Sequence, residues 1–155
     1  MTLLARIAIL MICLIAGWEV SNSQSRGFGA GVIIGEPTGL NGKAWISGQT
    51  ALVGGIAWDL GGPDDRFQVH LDHLWHFHDA IRSSEQFSPY LGIGGRLIAD
   101  DDGDGGFGVR VPLGLVWIPD NAPLDVFVEI VPIVDLAPNT DLEGNWGLGA
   151  RFFFD

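Results

Sequence analysis

The chain has 155 residues, with 19 acidic against 8 basic side chains and a net charge of -11, a balance that excludes nucleic acid as an expected partner. Only 17% of residues are charged, below the usual quarter, and mean hydropathy is +0.28, yet nothing after the first 17 residues is apolar for long enough to span a membrane as a helix. With 23 glycines this is not an ordinary helical domain; its apolar surface must lie in a core or meet lipid as strands.

The chain opens with an export signature. Arg6 precedes the apolar run Ile7 to Gly17, which is too short for an anchor, and Ser21-Asn22-Ser23 offers small residues for cleavage before Gln24. Residues 1–23 are expected to be a signal peptide and 24–155 a single domain; the bland alternative is a short buried or interfacial helix. The sole cysteine, Cys13, lies in this leader. Leu10-Met11-Ile12 before it lack the small residues of a lipoprotein signal, so no acyl anchor is expected. Cleavage would leave no thiol for disulfides, nucleophilic catalysis or metal binding.

Roughly eight alternating segments follow, spaced as in an antiparallel meander. Phe28 to Ile34 sets Phe28, Ala30, Val32 and Ile34 against Gly29, Gly31 and Ile33, and Glu36-Pro37-Thr38-Gly39 reads as a tight turn. Asn41 to Ser47 carries Lys43 opposite Ala44 and Ile46. Ala51 to Leu60 sets Leu52, Ile56, Trp58 and Leu60 against Gly55, Ala57 and Asp59, before the loop Gly61-Gly62-Pro63-Asp64-Asp65. Phe67 to Phe77 alternates Phe67, Val69 and Leu71 with Gln68, His70 and Asp72; Trp75 and Phe77 continue the apolar set, and His73 interrupts it. Asp79 to Ser88 is the one long connection. Tyr90 to Ala99 sets Leu91, Ile93 and Leu97 against Gly92, Gly94 and Arg96.

Phe107 to Leu136 carries the clearest pattern. The odd positions from Phe107 to Trp117 are apolar, and after the turn Pro119 to Pro123 the set Leu124, Val126, Val128, Ile130, Val134 and Leu136 faces away from Asp125, Glu129 and Asp135. Pro112 and Pro132 oppose a closed sheet, since proline donates no ladder bond, and bulges that flip the facing are the expected accommodation. The last segment, Trp146 to Phe154, sets Trp146, Leu148, Ala150, Phe152 and Phe154 against Gly147, Gly149 and Arg151.

Which face carries the bulk decides between solvents. A soluble barrel packs large apolar residues inward, whereas here the other face is small or charged, with Arg110 and Glu129 mid-strand. A membrane barrel needs this inversion. The expected fold is therefore all-β: a roughly eight-stranded antiparallel up-and-down transmembrane β-barrel, with the facing of Arg110, Glu129 and Trp117 as its test. The soluble alternative is a lipocalin-like barrel binding an apolar ligand. About eight strands enclose a lumen that side chains fill, so no open pore is expected. Lys43, Arg96, Arg110 and Arg151 are expected to pair there with Asp59, Asp72, Asp125, Glu129 and Asp135, because unpaired charges out of water are costly. This network is read as structural, not catalytic.

Three other groupings carry candidate chemistry. Asp100, Asp102 and Asp104 with Gly105 match the first half of a calcium loop, but Val111 stands where the closing Glu belongs, which favours an acidic hairpin over a weak calcium site. His76 and His78 share a face and are potential metal ligands; rings at a membrane interface are the plainer reading. Ser83, Ser84 and Ser88 lie near these histidines in sequence only, with no lipase-like spacing, so an outer-membrane enzyme modifying lipid A is a rival and not the expectation. No cofactor is expected beyond a weak divalent cation.

Val32 to Leu40, Leu74-Trp75-His76, Tyr90 to Arg96, Arg110 to Leu115 and Asn121 to Leu124 together resemble a family of small bacterial outer-membrane β-barrel proteins of undefined function, and in architecture, more loosely, OmpX-like and OmpA-like barrels. Gly149, Phe152 and Phe154 resemble the C-terminal signal read by the barrel assembly machinery, although the chain ends on Asp155 and not on the aromatic. The resemblance implies an outer-membrane location with termini facing the periplasm and no catalytic residues. The alternate turns, rich in Asp and Glu, would then face outward, where a solvated rim or a cation bridge to lipopolysaccharide is expected. The functional expectation is a monomeric structural or surface-interaction protein whose partners are outer-membrane lipid, lipopolysaccharide and the assembly machinery.

Overall fold

The computed structural model describes residues 27–59, 66–100 and 105–154, the side chains of Asp59 and Asp100 excepted. The expected leader, residues 1–23, and its expected cleavage site lie outside the described residues. Alternation along the chain produces nine antiparallel strands and, among the described residues, no helix. They are β1 (Phe28–Glu36), β2 (Thr38–Trp45), β3 (Thr50–Asp59), β4 (Arg66–His76), β5 (Gln86–Asp100), β6 (Gly106–Arg110), β7 (Leu113–Ile118), β8 (Leu124–Ala137) and β9 (Asp141–Phe154). Both β6 and β7 lie between β5 and β8. They act as one strand interrupted at Val111 and Pro112, so the barrel is eight-stranded. Pairing of β1 with β9, from Phe28 opposite Phe154 to Glu36 opposite Trp146, closes the ring and leaves no free edge.

The facing agrees with the inversion read from the sequence. Val128, Ile130, Leu148, Phe152 and Leu113 are exposed on the outer surface, while Arg110 and Lys43 are among the largest fully buried side chains. Val109 and Val126 share the outer face. Trp117 also lies on it, its indole nitrogen donating to Glu85 Oε2 at 3.0 Å, and Glu129 points inward to accept a bond from Tyr90. His73 sits on the outer face with its ring 4.6 Å from that of Trp75.

The two prolines do not act through bulges. Gly94 pairs with Arg110 and Leu91 with Leu113 in one unbroken register, and Arg110 pairs with Ile133 and Leu113 with Ile130 on the other side. Each proline keeps the bond its carbonyl can accept, Gly92 N to Pro112 O at 2.8 Å and Val111 N to Pro132 O at 3.0 Å. Only the return bond is lost, because the imide has no hydrogen. Facing is therefore preserved through both sites. The register shift falls between Phe107 and Gly108 instead, which face Ala137 and Asp135.

The β2–β3, β4–β5 and β7–β8 connections share an end with Phe28 and Phe154, here called the terminal end; the β1–β2 and β8–β9 connections and the strand ends Asp59, Arg66, Asp100 and Gly106 lie at the far end. Several glycines are required by close approach between neighbouring strands, Gly94 and Gly114 among them. A methyl group on Gly94 would run into the Asp72 carboxylate, and one on Gly114 into the Tyr90 ring.

Candidate functional site

Inward-facing side chains fill the lumen at successive levels, because every second residue of each strand points into it. At the terminal end the filling is apolar: Trp45, Val53, Leu74, Tyr90, Val116, Ile118, Phe127 and Phe153 form one cluster. Sequence reasoning expected small and charged residues throughout and missed this plug. The signal was available, since Trp45 shares parity with Lys43 and Phe153 with Arg151.

Set into the plug is a buried cationic group. Lys43 Nζ lies 3.4 Å from Asp125 Oδ2, 2.9 Å from His76 Nε2 and 4.2 Å from the centre of the Trp45 ring. Lysine only donates, so His76 accepts at Nε2 and places its proton on Nδ1, facing the Gln49 carbonyl at 3.2 Å. Arg151 donates through Nε to Asp125 Oδ1 at 2.9 Å and lies 4.0 Å over the Phe127 ring. One carboxylate thus serves two cations, and two aromatic faces take up the remainder.

In mid-barrel, Arg110 Nε approaches Asp72 Oδ1 at 2.9 Å, and His70 Nε2 lies 4.0 Å from Asp72 Oδ2. Tyr90 donates its hydroxyl to Glu129 Oε2 at 2.7 Å. Nearer the far end, Arg96 donates to Asp135 through Nε at 3.0 Å and through its terminal nitrogen at 2.6 Å, to Glu143 at 2.7 Å and to Gln68 Oε1 at 3.2 Å. Arg66 reaches Glu143 Oε1 at 3.5 Å on the exposed rim. Two cavities continue inward from this end: a mouth of about 240 Å³ lined by Glu36, Arg66, Gln68, Arg96, Glu143 and Asn145, and a recess of about 20 Å³ that reaches Arg110 and Glu129.

Of the residues expected in the lumen network, Lys43, Asp72, Arg96, Arg110, Arg151, Asp125 and Asp135 all sit in ion pairs. Glu129 pairs with a phenol and not with a cation. The Asp59 backbone lies at the far end of β3, opposite Arg66. Gln68, His76, Tyr90 and Glu143 are members that sequence reasoning did not assign to this network; it had singled out His76 only as a potential metal ligand. Asp100 closes β5 opposite Arg66, while Asp102 and Asp104 lie outside the described residues. Gly149 faces the lumen beside Phe127, and the Phe152 and Phe154 rings meet edge-on on the outer wall at 5.4 Å.

The histidines and Ser88 require a correction. Ser88 is not on the long connection: β5 begins at Gln86, so Ser88 points inward, fully buried, with Oγ 2.6 Å from His78 Nδ1. His78 Nε2 meets the Gly48 carbonyl at 2.7 Å, an oxygen that can only accept. That contact places the proton on Nε2 and leaves Nδ1 to accept from Ser88. The pair has a base-like arrangement, but a buried hydroxyl cannot reach a substrate, and the bonds staple two turns together. The His76 and His78 rings stack at 5.8 Å, yet no group of three metal-ligating side chains occurs among the described residues.

No protein-family model matches the chain, and no curated protein matches it in sequence. Solved structures do. The N-terminal β-barrel domain of Pseudomonas aeruginosa OprF aligns with a TM-score of 0.63 and 14% identity, covering 82% of this chain and 95% of that one. Neisserial surface protein A aligns with a TM-score of 0.57 and 12% identity, covering 82% of this chain and 93% of that one. The chain therefore has the fold of the small outer-membrane β-barrels.

Proposed function

We propose that the chain is exported, loses residues 1–23, and inserts as a monomer into the bacterial outer membrane, where it has a structural or surface-interaction role and is neither a pore nor an enzyme. The observation that carries this reading is the closed ring with its large apolar side chains on the outside, including Ile34, Ile130 and Leu142 at 66, 58 and 75% exposure. A continuous apolar band of that kind has no place in water and suits hydrocarbon. The same facing argues against a lipocalin-like carrier, whose apolar groups would line the cavity. The apolar plug speaks against conduction, and the burial of Ser88 against lipid A hydrolysis.

Gly149, Phe152 and Phe154 are assigned to recognition by the assembly machinery, consistent with their position on the closing strand. The acidic stretch carrying Asp100, Asp102 and Asp104 is read as part of a solvated rim facing lipopolysaccharide, where divalent cations bind weakly at most; no resident cofactor is proposed. The test is heat-modifiable gel migration of protein extracted from outer membranes of expressing cells. Boiled and unboiled samples are expected to run apart. A monodisperse protein in detergent-free buffer would overturn the reading, and altered lipid A in overexpressing cells would restore the enzymatic one.

A further inference from the structure

Of the outward-facing side chains on the described strands, two are titratable, Glu36 and His73. Glu36 closes β1 at the far-end rim, whereas His73 lies inside the apolar band. Along β4 it stands between Leu71 and Trp75, with Phe67 and Val69 beyond on one side and Phe77 on the other, and across the ladder it faces Leu52 and Ile93. Its ring packs 4.6 Å from that of Trp75, and among the described residues it makes no hydrogen bond. Hydrocarbon supplies neither donor nor acceptor to replace the water such a ring has lost. Ionisable side chains inside a membrane segment are costly and rarely face lipid, so this one points to a neighbour.

The wall beside it is uncovered. A methyl group on outward-facing Gly42 would meet the Phe28 ring at 3.1 Å, and one on Gly95 the Phe107 ring at 3.7 Å, so aromatic rings shield both glycines. At Gly54 nothing lies closer than 3.8 Å. Gly54 pairs with Leu71, the residue two before His73, which sets a notch and a polar ring diagonally on one face. Close approach at small residues, joined to a side chain that hydrogen-bonds across, is what holds membrane segments together.

We infer that the β3–β4 face pairs with the same face of a second copy of this chain, the two His73 rings hydrogen-bonded to each other at a two-fold axis along the membrane normal. Neutral imidazole has one donor and one acceptor, so each ring supplies what the other lacks. A knob beside a hole is likewise self-complementary, as a two-fold interface requires. A lipid headgroup is a poorer occupant, since Trp75 and Phe77, 41 and 49% exposed, stand between His73 and the terminal end. The inference rests on the membrane reading of the outer wall and adds a step to it: the chain enters the membrane singly and pairs there.

The experiment uses the full chain with Cys13→Ser and Ser84→Cys, so that the exposed β4–β5 connection carries the only thiol. Donor-labelled and acceptor-labelled protein are folded together into phosphatidylcholine vesicles, and energy transfer is measured as the lipid-to-protein ratio rises. Transfer should exceed that of random mixing and fall on dilution in lipid. His73→Leu should weaken pairing about three- to twentyfold, the span of hydrogen bonds between membrane segments, and Gly54→Leu, which fills the notch, by about threefold or more. His73→Gln keeps a donor and an acceptor and should retain most of the pairing. Both leucines suit lipid, so every variant should float with the vesicles and keep heat-modifiable migration, which separates lost pairing from lost folding. Transfer at the random level, transfer undiminished in either leucine variant, or His73→Gln as weak as His73→Leu would overturn the inference and leave the membrane reading intact. Failure of the unsubstituted wall to float with vesicles would overturn both.

Discussion

Arg110 and Asp72 show what a lumen ion pair does for a barrel of this size. Both are nearly inaccessible to solvent, at 2 and 3% exposure, so neither charge can turn to water if its partner is removed. Loss of one partner from a buried pair costs about 3–5 kcal/mol, whereas an apolar pair of similar volume is often neutral. Asp72→Leu alone should therefore lower the unfolding free energy by about that amount, and Asp72→Leu with Arg110→Met should recover most of the loss. Urea unfolding of the refolded barrel in detergent measures both. A double variant as damaged as the sum of its singles would mean that the pair contributes through packing. The charged partners in this network were legible because Arg and Asp at mid-strand positions have nowhere else to go. Gln68 and Tyr90 were not, since a neutral residue at an inward position carries no sign that it is needed as an acceptor or a donor.

At the level of strands, the informative element is the interrupted one. β6 and β7 hold a single register across Val111 and Pro112, and Pro132 faces Val111 on β8. The ladder survives because each proline gives up one bond of a pair and keeps the other. Replacing Pro132 with Ala restores an amide aimed at the Val111 carbonyl. A net hydrogen bond gives about 0.5–1.5 kcal/mol, and the loss of proline's restriction of the unfolded chain takes back about 0.4–1 kcal/mol, so stability is a poor readout. Hydrogen exchange is the better one: in Pro132→Ala the new amide should be protected like its neighbours on β8. Rapid exchange at residue 132 would show that the strands part there. The prolines were visible in the sequence, but their consequence was not, because a bulge and a half-bonded pair place the same demands on composition and differ only in register.

The whole molecule is an apolar wall around a polar and aromatic filling, and its outer face can be tested directly. Val128 is 51% exposed near the middle of β8. If that face meets lipid, Val128→Arg should cost about 2–4 kcal/mol in bilayer vesicles, the range for Arg near the midplane. If it met water, the change should stay within about 0.5 kcal/mol. Unfolding titrations of the two proteins in vesicles separate these outcomes.

The sequence by itself determined the strand count, the alternation and, away from Pro112 and Pro132, which residues share a face, because side-chain period along a strand is fixed by backbone geometry and needs no partner. It also led to the expectation that Lys43, Arg96, Arg110 and Arg151 share an interior with carboxylates. Only the tertiary structure decided the pairings, since Lys43 with Asp125 and Arg96 with Asp135 and Glu143 depend on register between strands far apart in the chain. It alone brought Trp45, Phe127 and Phe153 together into a plug at one end and left Gln68 and Asn145 around a cavity at the other. Period-two alternation assigns each residue to a face, whereas its height in the barrel is set by how the ring closes.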